Sequence, residues 1–101
     1  MKPIADLRLQ LLRPGAKRKV QIHISIAAPQ PDADDWSCTV RLKGITNGKE
    51  RRIMGVDSWQ ALNLALRYVQ IHLRLEVREG GQWYYFGGKT SVGSLFAKWG
   101  P

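Results

Sequence analysis

The sequence is short, basic and poor in cysteine. Its 101 residues, 44% hydrophobic and 24% charged, suffice for one domain with a single modest core, and this composition excludes a disordered chain. Sixteen Lys and Arg against eight Asp and Glu give a formal net charge of +8, which favours a polyanionic partner such as nucleic acid, an acidic protein surface or acidic lipid. The single cysteine, Cys38, excludes an internal disulfide.

The N-terminal segment carries the first expectation about location. Asp6, Arg8 and Gln10 interrupt its apolar residues, so we expect no signal peptide. No stretch approaches the ~20 apolar residues of a membrane-spanning helix, so we also expect no membrane span. A lone cysteine is typical of a reducing compartment, and we therefore predict a cytoplasmic protein.

The first half of the chain alternates apolar and polar residues, which predicts half-buried strands. The alternation covers residues 5–11, 20–28 and 36–42, and a shorter strand follows at residues 51–54. Pro14-Gly15 and Asn47-Gly48 are turn sequences between these strands, whereas the acidic segment 29–35 is expected to be a loop. Connections that suit hairpins favour an antiparallel meander.

One long helix is predicted between Val56 and Glu79. Asp57 followed by Gln60 is a capping-box pattern at its start, and Gly80-Gly81 is a stop signal. Its polar residues form one narrow stripe, so most of the remaining helix surface is apolar. The apolar residues form two stripes: one predicted to lie on the sheet (Leu62, Leu66, Val69 and Leu73) and a second further round the axis (Ala61, Leu64, Tyr68, Ile71 and Leu75).

The helix has one alternative ending. Leu73, Leu75 and Val77 alternate with charged residues, a pattern that a strand would also show. Since no helix breaker precedes Gly80, we favour an unbroken helix.

The C-terminal segment combines aromatic residues with glycines. Residues 83–86 predict a short strand or an ordered aromatic segment, which Gly87-Gly88 ends. Thr90 or Ser91 then caps a short helix that carries Val92, Leu95, Phe96 and Trp99. The sequence therefore predicts one α+β domain over residues 1–101: an antiparallel four- to five-stranded meander sheet with one long helix packed on one face and a short C-terminal helix.

The sequence contains no residue set with the spacing of a catalytic or metal site. His23, His72 and Cys38 lack ligand spacings such as Cys-x-x-Cys or His-x-x-x-His. Gly87-Gly88-Lys89-Thr90 is similar to the end of a phosphate-binding loop, but residue 83 is Trp where that pattern requires Gly. We therefore predict no enzyme, no metal and no cofactor, unless folding joins a histidine to an acid.

The strand alternation gathers basic residues on the sheet face opposite the core. The polyanion-binding candidates on this face are Arg8, Lys19, Arg41, Lys43 and Arg52. The predicted face carries no aromatic residue, so it lacks the stacking platform that readers of single-stranded nucleic acid use. A solvated face without a ligand is the simpler interpretation.

The second helix stripe and the aromatic residues are candidates for a protein interface. Trp, Tyr and Arg anchor many protein interfaces, and so apolar a helix needs cover on more than one side. The candidates are Leu64, Tyr68, Ile71, Leu75, Trp83, Tyr84, Tyr85 and Trp99. We expect the C-terminal segment to cover part of this surface. Another protein or a second copy of the chain would cover the rest.

The start of the long helix also carries a family resemblance. The segment runs Gly55-Val56-Asp57-Ser58-Trp59-Gln60-Ala61-Leu62, with Trp36-Ser37-Cys38 before it and Gly80-Gly81-Gln82-Trp83 after it. It is similar to a family of short uncharacterised bacterial proteins in which Gly-x-Asp-Ser-x-Gln-Ala-Leu opens a long helix. The resemblance spans residues 36–86, and it transfers no catalytic residue.

The leading hypothesis for function follows from the surplus apolar surface. It is a non-catalytic protein-binding module, such as a bacterial immunity or accessory protein that binds a toxin or secreted effector, by analogy with other small bacterial proteins. The alternative is a nucleic-acid-binding domain that uses the basic sheet face.

Overall fold

The computed structural model describes residues 1–96 and places seven strands in one antiparallel sheet, with two helices packed against its apolar face. The elements are β1 (Pro3–Leu12), β2 (Val20–Ala27), β3 (Gln30–Asp32), β4 (Asp35–Lys43), β5 (Arg51–Gly55), α1 (Ser58–Arg78), β6 (Gln82–Tyr85), β7 (Gly88–Thr90) and α2 (Val92–Leu95). The predicted α+β class, the long helix and the short C-terminal helix are confirmed.

Strand β1 lies in the interior of the sheet. It pairs antiparallel with β2 along one edge and with β6 along the other. Strands β2 and β3 pair with β4, which pairs with β5, so the first half of the chain forms a meander. Strand β7 pairs with β6 and extends the other side of the sheet. The last part of the chain is thereby joined to the first strand.

The sheet contains more strands than the predicted four or five. Strand β3 lies inside the segment that was expected to be an acidic loop, where Gln30 pairs with Ser37 and Asp32 with Asp35. Strand β7 returns beside β6 after a tight turn at residues 86–87. Both strands have three residues, which is too short for alternation to be visible in the sequence.

The core lies between the sheet and α1, but a different helix stripe faces the sheet. The helix buries Ala61, Ala65, Val69 and Leu73, whereas Leu66 is exposed and Leu62 only half-buried. The predicted stripe is therefore confirmed at Val69 and Leu73 and wrong at Leu66, while Leu62 packs partly buried against the core. Two alanines in contact with the sheet let the helix backbone approach closely, and this contact outweighs the burial of larger leucines. The sheet contributes Leu9, Leu11, Ile22, Ile24, Ile26, Cys38, Val40 and Leu42 to the same core.

Gly55, at the end of β5, shows how closely the helix approaches. A Cβ atom at this position would lie 2.4 Å from the Ala61 nitrogen and 2.8 Å from its Cα atom. Both are main-chain atoms of the first helical turn, and they cannot move aside as the end of a flexible side chain could. Glycine is therefore required at position 55, because the main chain of α1 leaves no room for a side chain.

Both ends of α1 are capped by the residues that the sequence indicated. At the start, the Asp57 carboxylate accepts from the Gln60 main-chain N–H (2.7 Å), and the Gln60 side chain accepts from the Val56 N–H (2.8 Å). At the end, Gly80 adopts φ +93° and the Gly81 N–H donates to the Glu76 carbonyl (2.8 Å). The helix thus continues to Arg78, and the alternative strand from Leu73 is wrong.

Helix α2 is a single turn in the described part of the chain. The Ser91 hydroxyl caps it by accepting from the Ser94 N–H (3.2 Å), and Val92 is buried against the core. Trp99, which was assigned to this helix and to the interface candidates, lies outside the described residues. Within residues 1–96, neither helix is long and apolar enough to cross a membrane.

Candidate functional site

One side of α1, next to the stripe that faces the sheet, carries an apolar surface. We define the outer flank as Leu64, Tyr68, Ile71 and Leu75, which follow one another at spacings of four, three and four residues and therefore share one side of the helix. Leu64 is 37% exposed, Ile71 51% and Leu75 42%, while Tyr68 is half-buried. Within residues 1–96 the predicted stripe is thus exposed at Leu64, Ile71 and Leu75, partly covered at Tyr68 and buried in the core at Ala61.

The border of the outer flank is basic. Arg67, Arg74 and Arg78 are exposed on the adjoining polar stripe of α1. The single acidic residue within α1, Glu76, is largely buried and binds Arg13 at 3.1 Å. An apolar strip bordered by arginines suits a partner that combines apolar anchors with acidic residues.

Trp83 is part of the core and not of an exposed surface. Its side chain is fully buried, and its indole N–H donates to the Leu73 carbonyl at 3.0 Å. The prediction that Trp83 belongs to a protein interface is therefore wrong. Its pairing with Leu11 explains this position, because cross-strand partners lie on the same sheet face and Leu11 points into the core.

The two tyrosines after Trp83 lie in different surroundings. Tyr84 pairs with Gln10 and therefore lies on the open face of the sheet, with the Lys19 ammonium 3.8 Å from its ring centre. Tyr85 is 39% exposed, and its ring is 4.4 Å from that of Phe86, which is itself almost fully exposed. Tyr85 and Phe86 thus form a second exposed aromatic group at the β6–β7 turn.

The open face contains the basic candidates as expected, but their surroundings differ. Arg8 and Lys43 lie on either side of His23 in one cross-strand row. Arg41 pairs with Glu50 (3.3 Å) and Arg52 with Asp32 (3.0 Å), so acids partly offset this charge. The same face also carries Tyr84. The expectation of a face without aromatic residues was therefore wrong.

Folding joins His23 to an acid near the centre of the open face. The His23 Nε2 and Asp6 Oδ1 atoms are 2.8 Å apart, and the Ser25 hydroxyl donates to the same oxygen at 2.8 Å. The Ser25 Oγ atom also lies 3.3 Å from His23 Nε2. The hydrogen bonds from Ser25 and then His23 lower the pKa of Asp6, because both stabilise its charged form.

This cluster contains the residue types of a catalytic triad but not its geometry. In a triad the carboxylate and the hydroxyl contact opposite ring nitrogens, so that the histidine can take the hydroxyl proton. Here Asp6 and Ser25 contact the same nitrogen, and the Ser25 hydroxyl directs its proton to Asp6. Ser25 is also buried, at 5% exposure. The arrangement holds three polar side chains together without activating a nucleophile.

The pairing of Asp6 with His23 and Ser25 was missed from the sequence. All three residues occupy polar positions of the first two predicted strands, and the turn near Pro14 makes those strands neighbours. The signal was therefore the hairpin register, which aligns Asp6 with Ser25 and Arg8 with His23. The exact register depends on the length of the turn, and the sequence pattern left that length open.

The remaining candidate ligands lie apart from one another. Among residues 1–96, no three His, Cys, Asp or Glu side chains converge in a way that could hold a metal ion. Cys38 is buried, its thiol donates to the Ala27 carbonyl (3.3 Å), and burial raises the pKa of the thiol.

A comparison with known protein families matches residues 6–94 to DUF6968, described as a domain of unknown function. The chain belongs to the DUF6968 family. This membership covers all seven strands in part or whole, together with α1, and it confirms the expectation of an uncharacterised family. Neither the curated proteins nor the solved structures contain a significant match to the chain.

Proposed function

We propose that this DUF6968 domain is a non-catalytic protein-binding module that binds an acidic partner protein through the outer flank of α1. The observation that carries the proposal is the exposure of Leu64, Ile71 and Leu75 on one side of a fully formed helix. Contiguous apolar surface of this kind marks interaction sites more often than scattered apolar residues do.

The surroundings of the outer flank favour a protein as its occupant. Arg67, Arg74 and Arg78 border it and supply charge that orients an acidic partner. Trp59, at the first turn of the same helix, is 76% exposed and offers a further aromatic anchor. An amphipathic acidic helix, laid against α1 with its apolar side inward, satisfies both features.

The biological role that suits such a module is binding to one dedicated partner. We propose a cytoplasmic bacterial immunity or accessory protein, whose partner is a toxin or a secreted effector. The high net charge of +8 supports an acidic partner, because opposite charges accelerate association and discourage wrong pairings. This role rests on analogy with other small proteins of the same size and architecture.

The experiment begins with the oligomeric state. Light scattering after size exclusion separates a monomer from a dimer held by the outer flank. A photo-crosslinking amino acid at Ile71 then captures the partner from the source cell, with the same group at Arg18 as the control position. The captured protein is purified, and its affinity for the domain is measured by calorimetry.

The variants decide whether the outer flank is the binding surface. Ile71→Asp and Leu64→Asp should weaken binding of the purified partner by more than about tenfold, since each places a charge at the centre of an apolar contact. Asn63→Asp adds the same charge on the polar stripe and should change affinity less than about threefold. Equal effects at Ile71 and Asn63, or crosslinks that are no stronger at Ile71 than at Arg18, would eliminate this surface.

A second candidate function is binding to nucleic acid by the open sheet face. The specific observation in its favour is Tyr84, an aromatic ring beside Lys19 on the same face as Arg8 and Lys43. Basic side chains beside an exposed ring are the combination on which single strands bind and stack. The ion pairs of Arg41 and Arg52 weaken this face relative to a fully basic one.

A salt titration tests the second candidate. Binding to a single-stranded probe should weaken steeply with added salt, and the double variant Arg8→Gln with Lys43→Gln should flatten the slope by about two phosphate contacts. Arg67→Gln with Arg74→Gln removes the same charge from α1 and serves as the control. If the two double variants show the same salt dependence, binding is caused by the net charge of the protein and not by the open face.

A further inference from the structure

A basic cleft lies beside α1 and shares Tyr68 with the outer flank. It is open to solvent and has a volume of about 650 Å³. Its walls come from three segments: Thr46 and Lys49 in the β4–β5 connection, Arg51 and Arg52 in β5, and Tyr68 and His72 in α1. The volume falls within the range of about 300–1,000 Å³ that is usual for small-ligand sites.

Two cations in the cleft are left without an acidic partner. Arg52 binds Asp32 at 3.0 Å, and the single acid of the cleft, Glu50, binds Arg41 at 3.3 Å and the N-terminal amine at 3.3 Å. Among residues 1–96, Lys49 and Arg51 form no ion pair. The cleft therefore presents a positive charge that the described part of the protein does not neutralise.

The fold positions the Arg51 side chain and orders the main chain next to Lys49. The Arg51 guanidinium lies 5.4 Å from the centre of the Tyr68 ring, which His72 contacts edge to face at 4.5 Å. The Lys49 N–H donates to the Asn47 side chain at 3.1 Å, which orders the connection next to the cleft. A cation that is positioned before a ligand arrives, such as the Arg51 guanidinium, loses less entropy when it binds the ligand.

We propose that this cleft binds a phosphate group. A phosphate offers several strong acceptor oxygens, so it can be held by the guanidinium fork of Arg51 and the ammonium of Lys49 at once. The rings of Tyr68 and His72 form an aromatic wall for any organic part attached to the phosphate. The proposal does not rest on protein binding by the outer flank, because its phosphate contacts come from Lys49 and Arg51. Tyr68 is the one residue of the outer flank that also lines the cleft.

The test is an NMR titration of the isotope-labelled protein at constant ionic strength. Inorganic phosphate should produce saturable shifts at the amides of Lys49 and Arg51, with a Kd on the order of millimolar, as an open site allows. Adenosine monophosphate is the second probe and distinguishes the source of the phosphate. If adenosine monophosphate binds more tightly than inorganic phosphate, and Tyr68→Leu removes this difference, the natural ligand is an organic phosphate. If the two probes bind equally, the ligand is free phosphate.

Charge-matched variants separate the site from general basicity. Lys49→Gln and Arg51→Gln should each weaken phosphate binding at least about fivefold. Arg67→Gln removes the same charge from an exposed position of α1 and should change the affinity less than about twofold. Lys49 lies in an exposed loop, so its variant tests the site even where Arg51→Gln perturbs the fold. Shifts that do not saturate, or an equal loss in Arg67→Gln, overturn the proposal.

Discussion

The indole N–H of Trp83 donates to the main-chain carbonyl of Leu73 at 3.0 Å, inside the core. This bond joins β6 to the last turns of α1, and both side chains are fully buried. The C-terminal half of the helix is further attached through Arg13, whose guanidinium binds Glu76. The long helix is therefore held at its far end by β6 and by the β1–β2 turn.

Replacing Trp83 by Phe should destabilise the protein by about 2 kcal/mol, because the variant loses the hydrogen bond to Leu73 and leaves part of the indole volume empty. Urea denaturation measures the change in the free energy of unfolding. Trp59→Phe makes the same substitution at an exposed position and should cost less than about 0.5 kcal/mol. Similar losses in the two variants would contradict the core role of Trp83.

Gly55→Ala should be more damaging than its small size suggests. The added Cβ would meet the main chain of Ala61 at 2.4 Å, so β5 and the first turn of α1 must move apart. We expect a loss of about 3 kcal/mol, measured by chemical denaturation. Gly93→Ala is the matched control: nothing lies within 4 Å of its Cβ, and alanine favours the helix there by up to about 1 kcal/mol.

The pKa of Asp6 predicts a loss of stability in acid. Its pKa is lowered from the ordinary 3.8, so the unfolded chain takes up the proton first as the pH falls. The stabilising contribution is therefore complete above about pH 5 and is lost as the pH falls past 3.8 and through the folded pKa. Denaturation midpoints between pH 5 and pH 2 should fall more steeply for the natural protein than for Asp6→Asn.

Ser25→Ala provides a second measurement of the same cluster. The Ser25 hydrogen bond is the largest cause of the lowered Asp6 pKa, so its removal should move that pKa back towards 3.8. NMR titration of the Asp6 carboxyl carbon reports the pKa directly, without reference to stability. An unchanged Asp6 pKa in Ser25→Ala would show that the hydroxyl does not stabilise the carboxylate.

Cys38 should be unreactive in the folded protein. It is buried, and burial raises the pKa of its thiol, so the reactive thiolate is scarce at neutral pH. A chromogenic disulfide reagent should therefore modify Cys38 only as fast as the protein opens, and at once in guanidinium. Rapid modification under native conditions would contradict the buried position.

Local sequence signals predicted much of this fold. Asp57 and Gln60 form hydrogen bonds at the helix start, and Gly80 and Gly81 end the helix as expected. Capping depends on neighbours within a few residues, which the sequence places side by side. The open face was predicted for the same reason: period-two alternation fixes which strand residues share a side.

The predictions that were wrong concern residues whose positions depend on contacts between distant segments of the chain. The stripe of α1 that faces the sheet was set by Gly55 and Ala61, whose close approach no helical period reveals. Trp83 and Tyr84 were both assigned to an interface, but pairing with β1 placed one in the core and the other on the open face. The contact between Asp6 and His23 was not predicted for the same reason, because it depends on the register of β1 against β2.

The interior position of β1 has a consequence for how the protein is made. This strand is synthesised before the other six, yet one of its edges pairs with β6, which is synthesised only after the whole of α1. Until then the nascent chain displays an open hydrogen-bonding edge, which other chains can pair with and aggregate. A protein shortened before β6 should therefore accumulate in inclusion bodies, even though most of its strands are intact.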